Sequence, residues 1–502
     1  MQDCVTDWIR YHAHAHGKGL ATVDLFSGRR QTFGEMHERV GRIATLLREA
    51  GVGPGDRVGV LSQNSTDVLD ILFAVWRVGA THLALNFRLT ASELRFIVED
   101  AEPTVLFFDT AFGEVVDKLR AEEGPQWIAM DGTGQGELED RIAAARPLLD
   151  GVDNGPEDRC MLMYSSGTTG TPKGVVITHG MILAQLVSGV PAFDLHSGSV
   201  SYAVLPLFHI AAMMGFSLTV LFAGGTAVVE RQLEPDRIFD ALGDPDLGIT
   251  HFMLVPALWS ALRQHPRAQT TDYSGIRAAY GGAEPLAPAL VQWWYDAGLP
   301  IREVYGMTET CGGACVIKGH EVPEKAGSAG KALMLTELKT MRLDGSEAEP
   351  GEIGELWARG PNILREYWRR PEETAAAIVD GWLRTGDMAR IDADGYVYVE
   401  DRLKDMYISG GENVYPAEVE HVLAQLPGVR EVAVIGLPDP DWGETGCAVI
   451  AGDESLTAAA VLEHCREHLA RYKHPGRVEF VEALPRNATG KILKYQLRES
   501  FG

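Results

Sequence analysis

The 502-residue sequence is poor in cysteine and in positive charge. Its six cysteines form no Cys-x-x-Cys pair, so neither a disulfide-rich fold nor a zinc site built from paired cysteines is expected, and reduced thiols are typical of a cytoplasmic protein. Asp and Glu outnumber Lys and Arg by 70 to 45, for a formal charge of −25. Such an acidic surface repels nucleic acid and anionic lipid, so neither is expected as a partner.

The sequence also lacks a visible targeting or membrane-spanning segment. Its first residues have no basic region followed by an apolar one, which excludes an ordinary secretory signal. The stretch from Leu195 to Val229 contains no Asp, Glu, Lys or Arg, but Pro206, His209 and several glycines and serines interrupt it. We therefore expect a buried strand followed by a core helix here, and no integral membrane segment.

Apolar runs alternate with helical patterns along much of the chain. Strands are predicted at 57–61, 104–108, 160–164, 250–254 and 432–435, and helices at 33–49, 67–78 and 91–99. This alternation is typical of α/β folds with parallel sheets. The pattern changes near residues 401–404, where an alternating strand gives way to a glycine loop and a helix at 417–426. We place the start of a C-terminal domain there.

Residues that suit phosphate binding are densest at Tyr164–Gly174 (YSSGTTGTPKG), directly after a predicted apolar strand. Glycine lets the backbone approach a ligand closely, while hydroxyls, amides and a lysine bind oxyanions. The segment therefore predicts a loop that wraps a polyphosphate. It is not a Walker A loop, because Pro172 precedes the lysine and Gly174 follows it.

This segment resembles the signature loop of the adenylate-forming superfamily, which includes acyl- and aryl-CoA synthetases, peptide-synthetase adenylation domains and beetle luciferases. Six further segments match the family's motifs in the family's order: Leu205–His209 (LPLFH), Gly281–Glu284 (GGAE), Tyr305–Thr310 (YGMTET), Gly381–Asp387 (GWLRTGD), Asp401–Asp405 (DRLKD) and Pro485–Lys491 (PRNATGK). The match covers nearly the whole chain, and residues 325–340 and 402–420 look most similar to bacterial fatty-acyl-CoA and feruloyl-CoA synthetases.

The resemblance implies an α/β fold in two domains. A large N-terminal domain of αβ-layered sheets plus a β-barrel-like subdomain would span residues 1–401 and hold the ATP and acid sites. Residues 402–404 would form a hinge, with Lys404 as the hinge residue, and residues 405–502 a small mobile α+β domain. Two residues depart from the family pattern: Ser165 stands where threonine is common, and Tyr407 stands where an aliphatic residue is usual.

The resemblance also implies a reaction. A carboxylate is a poor electrophile, and its attack on the α-phosphate of ATP gives an acyl-adenylate whose leaving group, AMP, is good. Among the implied catalytic residues, Thr308 contacts the α-phosphate, Glu309 holds Mg²⁺, Lys491 bridges acid and phosphate, and His209 lies beside the acid. The implied contacts to ATP and coenzyme A are Ser165, Ser166, Gly167, Thr168, Thr169, Gly170, Lys173, Gly282, Ala283, Glu284, Tyr305, Gly306, Asp387, Arg402, Gly410, Gly411 and Lys473.

The acid and the acceptor are less closely specified. The predicted acid pocket combines the His209 segment, the turn at Gly281 and residues 305–313, which together contain no cation. An apolar acid is therefore favoured, either a medium- or long-chain fatty acid or an aryl or hydroxycinnamic acid. Because the sequence ends soon after Lys491, we expect no carrier domain in the same chain and favour free CoA as the acceptor.

Two other functions stay open at this point. One is a standalone enzyme that loads a separate carrier protein, and the other is a nucleotide-binding sensor without catalysis. The intact motif residues Glu309, Asp387, Arg402 and Lys491 favour an enzyme over a sensor. The sequence does not determine the oligomeric state and leaves a homodimer open.

Overall fold

The computed structural model describes residues 6–120, 124–165, 172–322, 324–403, 405–409, 412–439, 442–486 and 492–502. The chain divides into two compact units, Met1–Glu337 with Ala358–Leu383, and Leu338–Trp357 with Arg384–Gly502. The larger and smaller α/β units agree with the fold class predicted from the sequence. The hinge at 402–404 stays a prediction, and Lys404 lies outside the described residues.

The first unit alternates strands and helices. Its helices are α1 (Trp8–His16), α2 (Phe33–Glu49), α3 (Thr66–Arg77), α4 (Ala91–Ala101), α5 (Gly113–Leu119), α6 (Gly136–Ala144), α7 (His179–Ala192), α8 (Thr219–Phe222), α9 (Pro235–Gly243), α10 (Pro256–Gln264), α11 (Pro288–Asp296) and α12 (Pro371–Ala377). Its first strands are β1 (Leu20–Asp24), β2 (Arg30–Thr32), β3 (Arg57–Leu61), β4 (Thr81–Leu85), β5 (Val105–Asp109), β6 (Gln126–Met130), β7 (Arg159–Ser165) and β8 (Lys173–Thr178). The next are β9 (Val200–Ala203), β10 (Thr226–Val229), β11 (His251–Leu254), β12 (Ala278–Gly282), β13 (Ile301–Met307), β14 (Gly312–Val316) and β15 (Lys331–Ala332). Strands β16 (Glu337–Met341), β17 (Ile353–Arg359), β18 (Ile378–Val379) and β19 (Trp382–Ile391) follow, and the unit boundaries run through β16, β17 and β19.

Two mainly parallel sheets form the layers of this unit. One has the strand order β6-β5-β3-β4-β7-β8, and the other the order β15-β14-β13-β12-β11-β9-β10-β1-β2. Strands β1 and β9 to β13 pair in parallel, and so do β3 to β7, while β2, β8, β14 and β15 pair antiparallel. Parallel sheets covered by crossover helices confirm the architecture predicted for this part of the chain. Parallel strands also bring their carboxyl ends to one edge, where ligands bind in open α/β sheets.

Helix α2 illustrates how the sequence specifies these elements. Its N-cap Thr32 and the third helical residue, Glu35, form a capping box, in which each side chain bonds the other's backbone N–H. Its apolar residues recur at helical spacing and are buried: Phe33, Met36, Val40, Ile43, Ala44 and Leu47. The helix spans the predicted residues 33–49, because the cap and the apolar face agree.

The long stretch without charges forms no membrane helix. It contains β9, a π-helix at Ala211–Leu218, α8 and β10, as expected of a buried strand and core helix. The π-helix was not predicted from the sequence. The hydroxyls of Ser217 and Thr219 donate to the carbonyls of Ala212 and Met214, in each case five residues earlier. Among the described residues, no helix is long and apolar enough to cross a bilayer.

The second unit is built mainly on antiparallel strands, and β25 (Arg477–Phe480) pairs in parallel with β24 (Gly443–Gly452). Its further strands are β20 (Val397–Arg402), β21 (Tyr407–Ser409), β22 (Glu412–Val414), β23 (Val429–Asp439), β24 (Gly443–Gly452) and β25 (Arg477–Phe480), and its helices are α13 (Pro416–Leu423), α14 (Ala458–His468) and α15 (Lys494–Phe501). The expectation that the strand at 432–435 belongs to a parallel sheet is wrong, since β23 pairs antiparallel with β24. Only a short connection separates these two strands, and a parallel pairing needs a crossover of a dozen or more residues.

Tyr407, the departure from the family pattern, lies in the core of this unit. Its side chain is buried against β23 and β24. A Cβ placed on Gly436 or Gly446 would come within 2.4 Å of a Tyr407 atom. Two glycines therefore provide the space that an aromatic ring needs at this position.

Candidate active site

The most strongly constrained part of the candidate site is the turn after β13. Residues Thr308–Thr310 form a 3₁₀ turn, in which the backbone N–H of Met307 donates to Thr310 Oγ1 at 2.9 Å. The same hydroxyl donates to the carbonyl of Gly312 at 2.6 Å. A Cβ on Gly306 would lie 2.0 Å from that carbonyl, so only glycine fits there. The turn therefore presents Thr308 and Glu309 in a fixed orientation.

Glu309 is a buried carboxylate held by hydroxyls. Its Oε1 accepts hydrogen bonds from Tyr367 Oη at 3.1 Å and from Ser165 Oγ at 3.4 Å. Glu309 as a whole is 7% exposed. Burial raises the pKa of Tyr367 well above its ordinary value, and the negative charge of Glu309 raises it further. The sequence predicted Ser165 and Glu309, whereas Tyr367 lies outside the motifs and carried no signal.

The predicted polyphosphate loop connects two paired strands. Strands β7 and β8 are antiparallel, with Ser165 opposite Lys173. The ammonium of Lys173 lies 5.6 Å from the centre of the Tyr367 ring, so Lys173 joins the surroundings of Glu309. The predicted contacts Ser166, Gly167, Thr168, Thr169 and Gly170 lie outside the described residues.

The predicted adenine-side residues lie at the ends of neighbouring strands. Gly282 of β12 pairs with Val304 of β13, the residue before Tyr305. A Cβ on Gly282 would lie 2.4 Å from the Val304 carbonyl, which explains the second glycine of the motif. Ala283 follows with a positive φ of 73°, and Ala283 and Glu284 are exposed. The strand register thus brings Gly282, Ala283, Glu284 and Tyr305 to one edge of the sheet.

The predicted acid-pocket segments also converge. A Cβ on Gly312 would lie 3.5 Å from Met214 Cβ of the π-helix, and one on Gly313 would lie 3.5 Å from Phe193 Cζ. Three aromatic rings, those of Phe193, Phe216 and Tyr280, pack with centroids 5.2–5.9 Å apart. Small residues on one side and buried aromatic and methionine side chains on the other make this region apolar.

His209 lies just before the π-helix at Ala211–Leu218 that carries Met214. Its ring packs against Phe208 with centroids 4.3 Å apart. Burial and, to a smaller extent, the positive charge of Arg88 lower the pKa of His209 to about 4, so the imidazole is neutral at pH 7. The pocket segments predicted from the sequence contain no cation, whereas Arg88, whose charge acts on His209, belongs to a distant part of the sequence.

In the second unit, Asp387 and Arg402 lie opposite each other on β19 and β20. Arg402 Nε donates to Asp387 Oδ1 at 2.7 Å, and Asp387 is 3% exposed. The backbone N–H of Asp387 donates to Thr385 Oγ1 at 3.1 Å. The two residues that the sequence assigned to ribose are therefore a fixed pair.

Another predicted ligand contact of this unit, Lys473, is ion-paired. Lys473 Nζ donates to Glu418 Oε1 and Oε2 at 2.5 and 2.7 Å. Lys494, which carried no signal in the sequence, pairs with the partly buried Glu420 at 2.7 Å. The predicted residues Lys491, Gly410 and Gly411 lie outside the described residues.

Family models match most of the chain. The model described as AMP-binding enzyme matches residues 9–368, and the AMP-binding enzyme C-terminal domain matches residues 418–491. Together with the sheets and the motif residues at their edge, these matches define the class: the chain belongs to the AMP-binding enzyme family. The predicted adenylate-forming class, an AMP-forming acid–thiol ligase of the acyl-CoA synthetase branch, is confirmed.

Within that class, three relatives are similar over nearly the full length. The long-chain-fatty-acid–CoA ligase FadD13 of Mycobacterium tuberculosis is 37% identical over 497 residues, covering 98% of this chain and 97% of that protein. Feruloyl-CoA synthase of an Amycolatopsis species is 40% identical over 484 residues, covering 96% of each. The crystal structure of ATP-bound MatB from Rhodopseudomonas palustris superposes with a TM-score of 0.92 at 32% identity, covering 100% of this chain and 99% of that one.

Proposed function

We propose that the protein joins an apolar carboxylic acid to CoA in two steps that consume ATP and need Mg²⁺. The observation that carries the proposal is Glu309, a buried carboxylate on a locked turn, next to Ser165 and Lys173 of the loop strands. A carboxylate at the edge of a parallel sheet, beside a glycine- and hydroxyl-rich loop, suits a nucleotide polyphosphate with its metal ion. The full-length similarity to acid–CoA ligases supports the same reaction.

In the proposed first step, a carboxylate oxygen of the acid attacks the α-phosphorus of ATP, and pyrophosphate leaves. Thr308, at the start of the turn, would donate to the α-phosphate. Lys491 would bridge the acid and the α-phosphate, because two anions approach each other and negative charge grows at phosphorus. In the second step, the CoA sulfur attacks the carbonyl carbon of the acyl-adenylate, and AMP leaves with the bridging oxygen.

Glu309 is the residue that would hold Mg²⁺. The hydroxyls of Tyr367 and Ser165 donate to Oε1 and orient it. Mg²⁺ usually binds one or two carboxylates together with phosphate oxygens and water, so a single glutamate is a suitable donor. When bound, Mg²⁺ would neutralise negative charge on the phosphates.

The remaining proposed contacts concern the rest of ATP and CoA. Asp387, with one oxygen held by Arg402, would accept hydrogen bonds from the ribose hydroxyls. Tyr305 would stack on adenine, beside Gly282–Glu284. On the CoA side, Gly410 and Gly411 would line the pantetheine path, and Lys473 would exchange its partner Glu418 for a CoA phosphate.

The proposed acid is apolar, either alkyl or aryl. The region around Met214, Phe193, Phe216 and Gly312 offers apolar contacts and small residues. His209 is neutral at pH 7 and would line this region as a polar but uncharged ring. Burial of an alkyl or aryl tail there contributes roughly 25 cal/mol per Å² of apolar surface.

The test is AMP formation with ATP, Mg²⁺ and CoA across acetate, octanoate, palmitate, benzoate and ferulate. We expect CoA-dependent turnover that is highest for one apolar acid. Lys491→Ala should lower the adenylation rate by about 10²–10³. Pyrophosphate release without acyl-CoA would point to a carrier protein as the acceptor, and nucleotide binding without pyrophosphate release from any acid would contradict the proposal.

A further inference from the structure

A buried amide with an unused donor lies beside the predicted acid pocket. Gln185, on α7, is 3% exposed. Its Nε2 lies 3.6 Å from the position that a Cβ on Gly312 would take and 3.7 Å from the equivalent position on Gly313. Within the part of the chain that the structure describes, Oε1 is the atom of this amide that makes a hydrogen bond, and Nε2 makes none.

A chain of hydrogen bonds fixes which end of this amide is the nitrogen. Asn362 Nδ2 donates to the carbonyl of Thr310 at 3.1 Å, and Asn362 Oδ1 accepts from Thr336 Oγ1 at 3.1 Å. The same Nδ2 group donates to Gln185 Oε1 at 3.3 Å. Rotating the Gln185 amide by 180° would place two NH₂ groups against each other, so the donor must face Gly312 and Gly313.

This donor lies among apolar groups. Met214 borders Gly312 on the same side as Gln185, and Phe193 borders Gly313. An acid that fills the space beside Gly312 and Gly313 would shield this N–H from water, so an acid that supplies an oxygen there gains affinity over one that does not. A site with a placed donor therefore discriminates against an analogue that lacks the acceptor.

We propose that Gln185 is a specificity-determining residue whose Nε2 donates to an oxygen on the distal part of the acid. This inference rests on the proposed function and narrows its substrate class. The preferred acid has an aryl body, which packs near the Phe193, Phe216 and Tyr280 rings, and carries a hydroxyl, methoxy or carbonyl oxygen. A plain alkyl chain would leave the amide unpaired.

The test compares acids that differ by one oxygen. Cinnamate and its 2-, 3- and 4-hydroxy derivatives are assayed for AMP formation, and the acylsulfamoyl-adenosine analogues of the same acids are titrated by calorimetry. In the wild type we expect kcat/KM and binding affinity to be about tenfold higher for at least one hydroxy derivative than for cinnamate. Equal values for all four acids in both assays would overturn the inference.

Two variants test whether Gln185 causes the preference for a hydroxy derivative over cinnamate. Gln185→Leu removes the amide, and Gln185→Glu keeps the shape and an oxygen toward Asn362 but removes the NH₂ donor. In both we expect the preference to fall to about one, while cinnamate itself still binds. Val187→Ala, at an exposed position of α7, is the control and should keep the wild-type preference. Thermal melting reports whether each variant folds.

The two assays separate this inference from the proposed function. If the acids turn over but the preference survives in both folded Gln185 variants, the inference is wrong and the ligase assignment stands. If no acid turns over but the analogues bind with a preference that disappears in the variants, the pocket assignment stands and the proposed reaction is wrong. A preference for cinnamate or octanoate in the wild type would also contradict the role of Gln185.

Discussion

The two units hold their site carboxylates in different ways. In the first unit, the described hydrogen bonds to Glu309 come from the hydroxyls of Tyr367 and Ser165. In the second unit, Asp387 pairs with the guanidinium of Arg402, and Glu418 pairs with Lys473. A hydroxyl donor orients a carboxylate without neutralising its charge, whereas a guanidinium donor both orients the carboxylate and neutralises it. This contrast suits a metal ligand in one unit and a ribose contact in the other.

A third carboxylate shows what burial does when the donors are backbone N–H groups instead of a hydroxyl or a guanidinium. Glu303 lies on β13, and the backbone N–H of Gly327 donates to its Oε1 at 3.2 Å. Burial raises the pKa of Glu303 to about 7, although its backbone hydrogen bonds act in the opposite direction. Glu303 therefore provides a control on the same strand as the turn that carries Glu309.

The largest effect is expected from removing the charge of Glu309. Glu309→Gln keeps the shape of the side chain but removes the anion that would hold Mg²⁺, and we expect adenylation to slow by about 10²–10³. The rate of pyrophosphate release at several Mg²⁺ concentrations measures this loss of adenylation. Glu303→Gln is the matched control and should keep wild-type adenylation; an equal loss in both variants would mean that general disruption of β13, and not metal binding, is responsible.

Replacing Asp387 should weaken ATP binding more selectively. Asp387→Asn removes the charged acceptor proposed for ribose, and we expect the KM for ATP to rise about 10–100-fold. The variant should also lose the preference for ATP over 2′-deoxy- and 3′-deoxy-ATP. Glu400→Gln breaks the neighbouring ion pair between Arg390 and Glu400 on the same two strands, and it should leave both quantities unchanged. If Asp387→Asn still prefers ATP over the two deoxy analogues, the ribose hydroxyls bind elsewhere.

Glu303 should make folding stability depend on pH. Its pKa is about 7 in the folded protein and lower in the unfolded chain, so the folded state binds the extra proton and stability falls as pH rises from about 4.5 to 7. Glu303→Gln removes this titration, and at pH 8 we expect it to be more stable than the wild type by about 3 kcal/mol. Denaturant unfolding at pH 5 and pH 8 measures the difference, which should shrink at pH 5. A constant difference at both pH values would show that Glu303 does not titrate in this range.

The smallest effect is expected at the hydroxyl of Tyr367. Tyr367→Phe removes a hydrogen bond that orients Glu309, and we expect the Mg²⁺ concentration for half-maximal activity to rise about fivefold, with little change in the KM for ATP. Tyr273→Phe, which removes a hydroxyl that donates to the Ala268 carbonyl, is the control. An unchanged Mg²⁺ requirement in Tyr367→Phe would remove Tyr367 from the metal environment.

The features that were predicted correctly from the sequence are those that local patterns of residues encode. Helix α2 and strand β3 were predicted with their observed ends, because caps and apolar periodicity are local signals. Motifs likewise identified Glu309, Asp387 and Arg402, and the structure brings the last two together across β19 and β20.

The missed features depend on contacts between distant parts of the chain. Tyr367 and Arg88 reach Glu309 and His209 from outside every motif, and the orientation of the Gln185 amide depends on Asn362 and Thr310. The π-helix at Ala211–Leu218 also has no sequence signature as simple as helical periodicity. Such features follow from packing that a single sequence does not encode locally.

The most direct test of the central claim, that the acid is activated as an acyl-adenylate, follows oxygen from the acid. The best acid of the panel is labelled with ¹⁸O in both carboxylate oxygens and incubated with ATP, Mg²⁺ and CoA. If the carboxylate attacks the α-phosphorus and CoA later displaces AMP, each AMP formed carries one ¹⁸O, which mass spectrometry detects. Acyl-CoA formed with unlabelled AMP, or with the label in inorganic phosphate, would contradict the account.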